Sequence, residues 1–159
     1  MVICTAPSKT FNIAGLQVSN IFIPNKNLRR RFRKQVAAAG YSQVNTLGLV
    51  ACQAAYTYGE DWLQQAKAYI EDNIKFIDAY LKQNLPQIKL LQPEGTYLIW
   101  LDCSALGLTA AECEQWLWHK AHLWLDGGGI FGKEGEAFER INVACPRALL
   151  LQGLEQLKQ

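Results

Sequence analysis

Lys9 is the residue whose chemistry is least accounted for by its surroundings. It lies in Thr5-Ala6-Pro7-Ser8-Lys9-Thr10-Phe11, just past a short apolar run that Pro7 and Ser8 break. A solubilising charge rarely needs a strand-to-loop junction flanked by hydroxyls and an aromatic. A lysine amine attacks an aldehyde to give a Schiff base once it is neutral, and burial near other groups favours the neutral form. Neighbouring hydroxyls and loop N–H groups suit a phosphate. An ordinary surface lysine is the competing reading of the same residues.

Arg140 is the second such position. It lies in Phe138-Glu139-Arg140-Ile141-Asn142-Val143-Ala144, a strand-like run. Alternation along a strand puts Phe138, Arg140 and Asn142 on one face. A guanidinium fork projecting from a sheet can take a carboxylate with two hydrogen bonds. The competing reading is a solvated face, or a pairing with Glu139 or Glu136. Arg147 follows Pro146 at a helix start, where the dipole opposes a cation, so a partner is expected for it.

Other candidates carry less. Gly127-Gly128-Gly129-Ile130-Phe131-Gly132 lacks the spacing of a dinucleotide-binding loop and reads as a flexible loop beside a site. His119 and His122 have no cysteine or carboxylate cluster around them, so no metal site is expected. The Arg29–Lys34 basic cluster reads as a solvated helix face. With a net charge of +2, no nucleic-acid partner is expected. The tryptophans Trp62, Trp100, Trp116, Trp118 and Trp124 read as core or interface anchors.

The elements that must hold these residues can be read from periodicity. Half of the 159 residues are apolar, enough for a packed core. Strands are expected at Ile3–Ala6 and Val18–Ile23, with no obvious partner within the chain. A basic helix capped by Asn25 or Asn27 ends near Gly40. Further helices run over Thr46–Tyr58 and Glu60–Asn84, the latter with apolar residues at three-and-four spacing. Then come strands at Ile88–Leu91 and Thr96–Leu101, and a helix from Ala110 to Ala121 behind Thr109. Strands follow at Leu123–Leu125 and Phe138–Ala144, and a last helix runs from Pro146 to Leu157. The second half thus has the content of a small α+β domain with a mostly antiparallel sheet.

The cysteines Cys4, Cys52, Cys103, Cys113 and Cys145 are odd in number and unpatterned, which suits a reducing cytoplasm. No apolar run is long enough to cross a membrane, and the first residues do not resemble a signal peptide.

Together the motifs resemble those of a known family. The run Ala6-Pro7-Ser8-Lys9-Thr10-Phe11-Asn12-Ile13-Ala14-Gly15-Leu16-Gln17 is similar to the lysine segment of class I/II aminotransferase-fold enzymes, in their branch of cystathionine β-lyases and related C–S lyases. Pro93-Glu94-Gly95-Thr96-Tyr97-Leu98-Ile99-Trp100-Leu101 resembles that branch's small-domain hairpin. Gly129-Ile130-Phe131-Gly132 and Arg140-Ile141-Asn142-Val143-Ala144-Cys145-Pro146-Arg147 resemble its carboxyl-terminal signature. The match runs through the whole chain in order.

The resemblance implies the carboxyl-terminal portion of a fold-type I pyridoxal-phosphate enzyme, α/β passing to α+β. It implies the end of a large cofactor-binding domain at 1–45, linking helices at 46–84, and a small α+β domain at 85–159. It implies pyridoxal 5'-phosphate as cofactor, joined to Lys9, which later transfers the α-proton. Ser8 would help to position the phosphate, and Arg140 would bind the substrate α-carboxylate. The implied reaction takes a sulfur-containing amino acid to a thiol, pyruvate and ammonia. Transamination on the same fold and a non-catalytic remnant are the alternatives.

A family chain is more than twice this length. The acidic partner of the pyridine nitrogen, the ring-stacking aromatic and most phosphate contacts are therefore expected from a portion preceding Lys9. Either a homodimer or pairing with that portion is implied, and no, or barely detectable, turnover is expected from these residues alone. The position eight past the lysine holds an arginine in aspartate aminotransferases; here it is Gln17, which favours the lyase branch.

Overall fold

The computed structural model describes residues 1–41 and 43–158 and shows two compact units, Met1–Ala66 and Lys67–Gln159.

In the first unit, β1 (Ile3–Thr5) and β2 (Asn20–Phe22) pair antiparallel, with Ile3 opposite Phe22 and Thr5 opposite Asn20. Sequence reasoning expected neither strand to find a partner in the chain; each is the other's partner. The chain reverses between them through residues 7–13, closed by Phe11 N–H to Pro7 O (2.9 Å) and Ile13 N–H to Ser8 O (3.0 Å). A 3-10 turn at Ala14–Leu16 follows. Asn12 and Gln17 adopt positive φ (54° and 52°), which turns the backbone sharply at each end of that segment. None of this is visible as hydrophobic periodicity.

Helix α1 (Lys26–Ala38) is capped by Asn25, whose side chain accepts from Leu28 N–H at 2.9 Å. Helix α2 (Thr46–Tyr58) is capped by Asn45 and stops at Gly59. Val18, Ile23 and Cys52 are the buried apolar side chains of this unit besides Pro7. Helix α3 (Glu60–Asn84) starts here and continues into the second unit.

The second unit holds a four-stranded antiparallel sheet. Its strands are β3 (Lys89–Leu90), β4 (Leu98–Asp102), β5 (Asp126–Gly127) and β6 (Phe138–Asn142), in spatial order β3-β4-β6-β5. One face supplies Ile99 and Leu101 to a core shared with Ile77 and Leu81 of α3, Cys113 and Leu117 of α4 (Ala110–His119), and Leu150 and Leu154 of α5 (Arg147–Gln156). Burying each such Leu or Ile contributes about 1.5–3 kcal/mol. Thr109 caps α4 through a capping box with Glu112, as its position before the apolar run suggests.

Two sequence expectations are corrected here. Leu123–Leu125 is not a strand; the pairing begins at Asp126, where β5 first comes opposite Arg140. Leu123 instead bonds back to Leu117 O at the end of α4 (2.8 Å). The glycine run is not an open loop either. It finishes β5 and enters 3-10 turns at Gly128–Phe131 and Lys133–Gly135. A Cβ on Gly128 would meet Gly135 O and stand 2.8 Å from Phe138 O, so the glycine permits two backbones to touch.

Candidate functional site

Lys9 stands in the turn after β1, exposed to solvent, with Ser8 half-buried beside it. It is not buried as the amine chemistry suggested. The turn that carries it is nevertheless tightly held. Pro7 is fully buried. Phe11, two residues on, meets Tyr56 edge-on (centroids 5.7 Å) and stacks on Trp62 (6.3 Å). Gly59 makes room for it: a Cβ there would come within 2.7 Å of the Phe11 ring. Further along, Asn45 donates to Leu16 O at 3.2 Å. The Lys9 amine enters no ion pair or hydrogen bond with the described residues. A primary amine presented from a fixed turn beside a hydroxyl fits, in its donor chemistry, the aldehyde and one phosphate oxygen of a pyridoxal cofactor.

Arg140 lies in the second unit, on the middle of β6. Register places Trp100 opposite it on β4 and Asp126 opposite it on β5, so the three side chains share one sheet face. This face is the reverse of the one bearing Ile99 and Leu101, and it carries Phe138 and Asn142, as alternation requires. Arg140 does not pair with Glu139 or Glu136. Its Nε and Nη2 both donate to Asp126 Oδ2, at 3.1 and 2.7 Å. Its Cζ sits 4.5 Å from the centre of the Phe131 ring, which in turn meets Trp100 edge-on at 5.3 Å.

Beside this strand, Asn73 of α3 is fully buried and gathers the exit from β6. Its Nδ2 donates to Val143 O (2.8 Å) and Cys145 O (3.0 Å), and its Oδ1 accepts from Arg147 Nε (2.7 Å). The partner expected for Arg147 is therefore a side chain of the protein. Its guanidinium also lies 4.6 Å from the Phe76 ring centre. On the core face, Glu139 is buried, and the loss of water around it pushes its carboxyl above the usual carboxylate range, opposed by a hydrogen bond from Cys113. The hydrogen bond with Cys113, then burial, push the Cys103 thiol up as well.

Asp126 and Asn73 were not singled out from the sequence; Phe131 figured there only as part of the glycine run, and Glu139 only as a partner weighed for Arg140. Asp126 directly precedes the glycine run, but only strand register puts it opposite Arg140. The described residues contain no cluster of His, Cys, Asp and Glu able to hold a metal. No described helix is long and apolar enough to cross a membrane. Trp118, His122, Leu123 and Trp124 line an open surface groove, with Trp124 85% exposed, so of the core or interface role expected for it the core one does not hold.

No family model matches the chain. It is 43% identical over 157 residues to the cystathionine beta-lyase PatB of Bacillus subtilis, covering 99% of this chain and 41% of that protein. Cystalysin of Treponema denticola, whose crystal structure contains a pyridoxal 5'-phosphate cofactor, superposes with a TM-score of 0.94 at 41% identity, over 99% of this chain and 40% of cystalysin. A C–S lyase of Staphylococcus hominis, solved in its external aldimine form with L-cycloserine, gives a TM-score of 0.84 at 35% identity over 99% of this chain and 38% of that one. The chain thus spans about two-fifths of the length of the relatives it matches. In sequence and in fold it corresponds to the carboxyl-terminal portion of the aminotransferase-fold pyridoxal-phosphate enzymes, in their cystathionine β-lyase branch.

Proposed function

We propose that this chain carries the amine-handling and carboxylate-handling residues of a pyridoxal-phosphate-dependent C–S β-lyase. The observation that supports this most is the likeness to C–S lyases along nearly the entire chain; Lys9 and Arg140 each lie in a run of sequence that resembles that branch's motifs.

Bound pyridoxal phosphate would supply an electron sink for the carbanion left when a substrate loses its α-proton. The protein's part is binding and proton handling. Lys9 Nζ would hold the cofactor through its aldehyde and would take the proton from the α-carbon. The Ser8 hydroxyl would donate to the phosphate. Arg140 grips the α-carboxylate, fixing which bond at the α-carbon is presented for cleavage. Loss of the α-proton and of the thiolate from the β-carbon, followed by addition of water, gives thiol, pyruvate and ammonia. The substrate is a sulfur-containing amino acid. The five free thiols suit a reducing compartment such as the cytoplasm. The working assembly includes the portion that the longer relatives have and this chain does not, on the same or another polypeptide, and the working unit is a homodimer.

The test is reconstitution. The chain is mixed with the separately expressed amino-terminal portion of a related cystathionine β-lyase, with pyridoxal phosphate, and pyruvate release from cystathionine is followed. Pyruvate from the mixture, none from either piece alone, and none with Lys9→Ala is the expected result. Keto-acid exchange without pyruvate would replace lyase by transaminase. Inactivity of a mixture shown to have associated would leave a non-catalytic remnant.

A further inference from the structure

A guanidinium has two edges that can each take a carboxylate: a side-on edge made by Nε and Nη2, and an end-on edge made by Nη1 and Nη2. In this chain the side-on edge of Arg140 is already taken. Asp126 Oδ2 accepts from both Nε (3.1 Å) and Nη2 (2.7 Å). One ring face is covered as well, by Phe131 at 4.5 Å. Nη1 makes no hydrogen bond with the described residues, and the Arg140 side chain keeps 25% of its surface exposed.

The arrangement is built from two sides. Asp126 flanks Arg140 on β5, and Trp100 flanks it on β4 while bracing Phe131. An ion pair this exposed, with Asp126 at 47%, adds little to stability. Its effect is on geometry: a long, flexible side chain is held in one orientation before any ligand arrives.

We propose that Asp126 is a positioning residue for Arg140, occupying its side-on edge so that an amino-acid carboxylate is received on the end-on edge, with Phe131 closing one face. This rests on the reading of Arg140 as the carboxylate site. It adds which edge is used and which residue decides it. Asp126 also cancels the net charge of the site. A carboxylate able to make two aligned hydrogen bonds is therefore favoured over a spherical anion, which gains only from charge.

Arginine side-chain 1H–15N NMR of the 159-residue chain tests this. The Arg140 Nε–H signal is identified by its loss in R140K. In the unaltered protein that proton exchanges slowly with water. It keeps its position when sodium acetate replaces sodium chloride at about 100 mM, or when about 100 mM L-alanine is added at unchanged salt, while the Nη protons of Arg140 move. In D126N the Nε–H exchanges about 10-fold faster and now shifts with acetate, as expected when a charge-assisted hydrogen bond is removed. F131L keeps the Nε–H protected but weakens the Nη response, which separates loss of the aromatic cover from loss of the anion and from misfolding. Three results would overturn the proposal. An Nε–H in D126N that exchanges no faster means that Asp126 does not hold the guanidinium. An Nε–H in the unaltered protein that acetate moves as D126N does means that Asp126 is a displaced competitor. A protected Nε–H with Nη protons indifferent to every carboxylate removes the carboxylate site itself, and that pattern is distinct from the other two.

Discussion

Arg140 and Glu139 are neighbours on one strand with opposite assignments. Arg140 points to the open sheet face and ends in a partly occupied fork; Glu139 points into the core. For Arg140 the fork matters more than the charge. In the reconstituted enzyme, Arg140→Lys keeps a cation but offers no bidentate edge, and loss of one charged hydrogen bond should lower kcat/KM by about 10- to 100-fold, mostly through KM. An unchanged KM for cystathionine would remove Arg140 from the substrate. For Glu139 the matter is pH. Burial raises its carboxyl in the folded state above the ordinary carboxylate range. A group raised on folding favours the native state below its unfolded value, and that contribution is lost as pH climbs through the folded value. Glu139→Gln should therefore raise Tm by about 2 °C at pH 8, with the difference vanishing below pH ~4.5. A Tm gain equal at both ends of that range would mean that the carboxyl's ionisation is not what the substitution relieves.

Among the elements, the join between β6 and α5 is held by two side chains of α3: the Tyr69 hydroxyl accepts from Arg147 N–H (2.8 Å), and Asn73 makes the buried contacts. Asn73 reaches from α3 to two carbonyls past the end of β6 and to Arg147 Nε, with no exposed surface of its own. Asn73→Ala orphans a buried set of partners and should cost about 3 kcal/mol, a fall in Tm of about 6–12 °C. Arg147→Ala breaks only one of the three bonds and the Phe76 stack, and should cost roughly half as much. If the two variants melt alike, Asn73 is not the hub. The sequence revealed these elements better than their joins. Helices α2 and α3 were legible from end to end because Asn45 and Gly59 mark the boundaries locally and α3 keeps its apolar spacing. The Thr109 cap was legible for the same reason. Strand β5 was misplaced because Leu123-Trp124-Leu125 is a short apolar run such as a buried strand shows, whereas pairing depends on a partner 14 residues away. Lys9 was put forward through the motif it resembles, not its local context; Asp126 had no local signal at all, since its meaning lies in register with Arg140.

Taken whole, the two units differ in what they bury. The second encloses a continuous core from Ile77 to Leu157. The first buries few apolar side chains and leaves Ile3, Ile21, Phe22, Leu47, Leu49 and Val50 substantially exposed. Since apolar burial is the main favourable term in folding, local opening should be cheapest in the first unit. Hydrogen exchange of the isolated chain should find the slowest amides at Ile99, Leu101 and Ile141, and those of β1 and β2 at least about 100-fold faster, given that each 1.4 kcal/mol of opening energy is tenfold. The same exposed side chains are where the portion carried by the longer relatives would sit under the proposed assembly. Adding the amino-terminal portion of a relative should then slow exchange at β1, β2 and α2 while leaving the β4–β6 amides unchanged, because anything that binds the folded form raises its opening free energy where it binds. Protection appearing first in the sheet of the second unit would instead place the partner's surface there, and the turn carrying Lys9 would have to be completed by some other means.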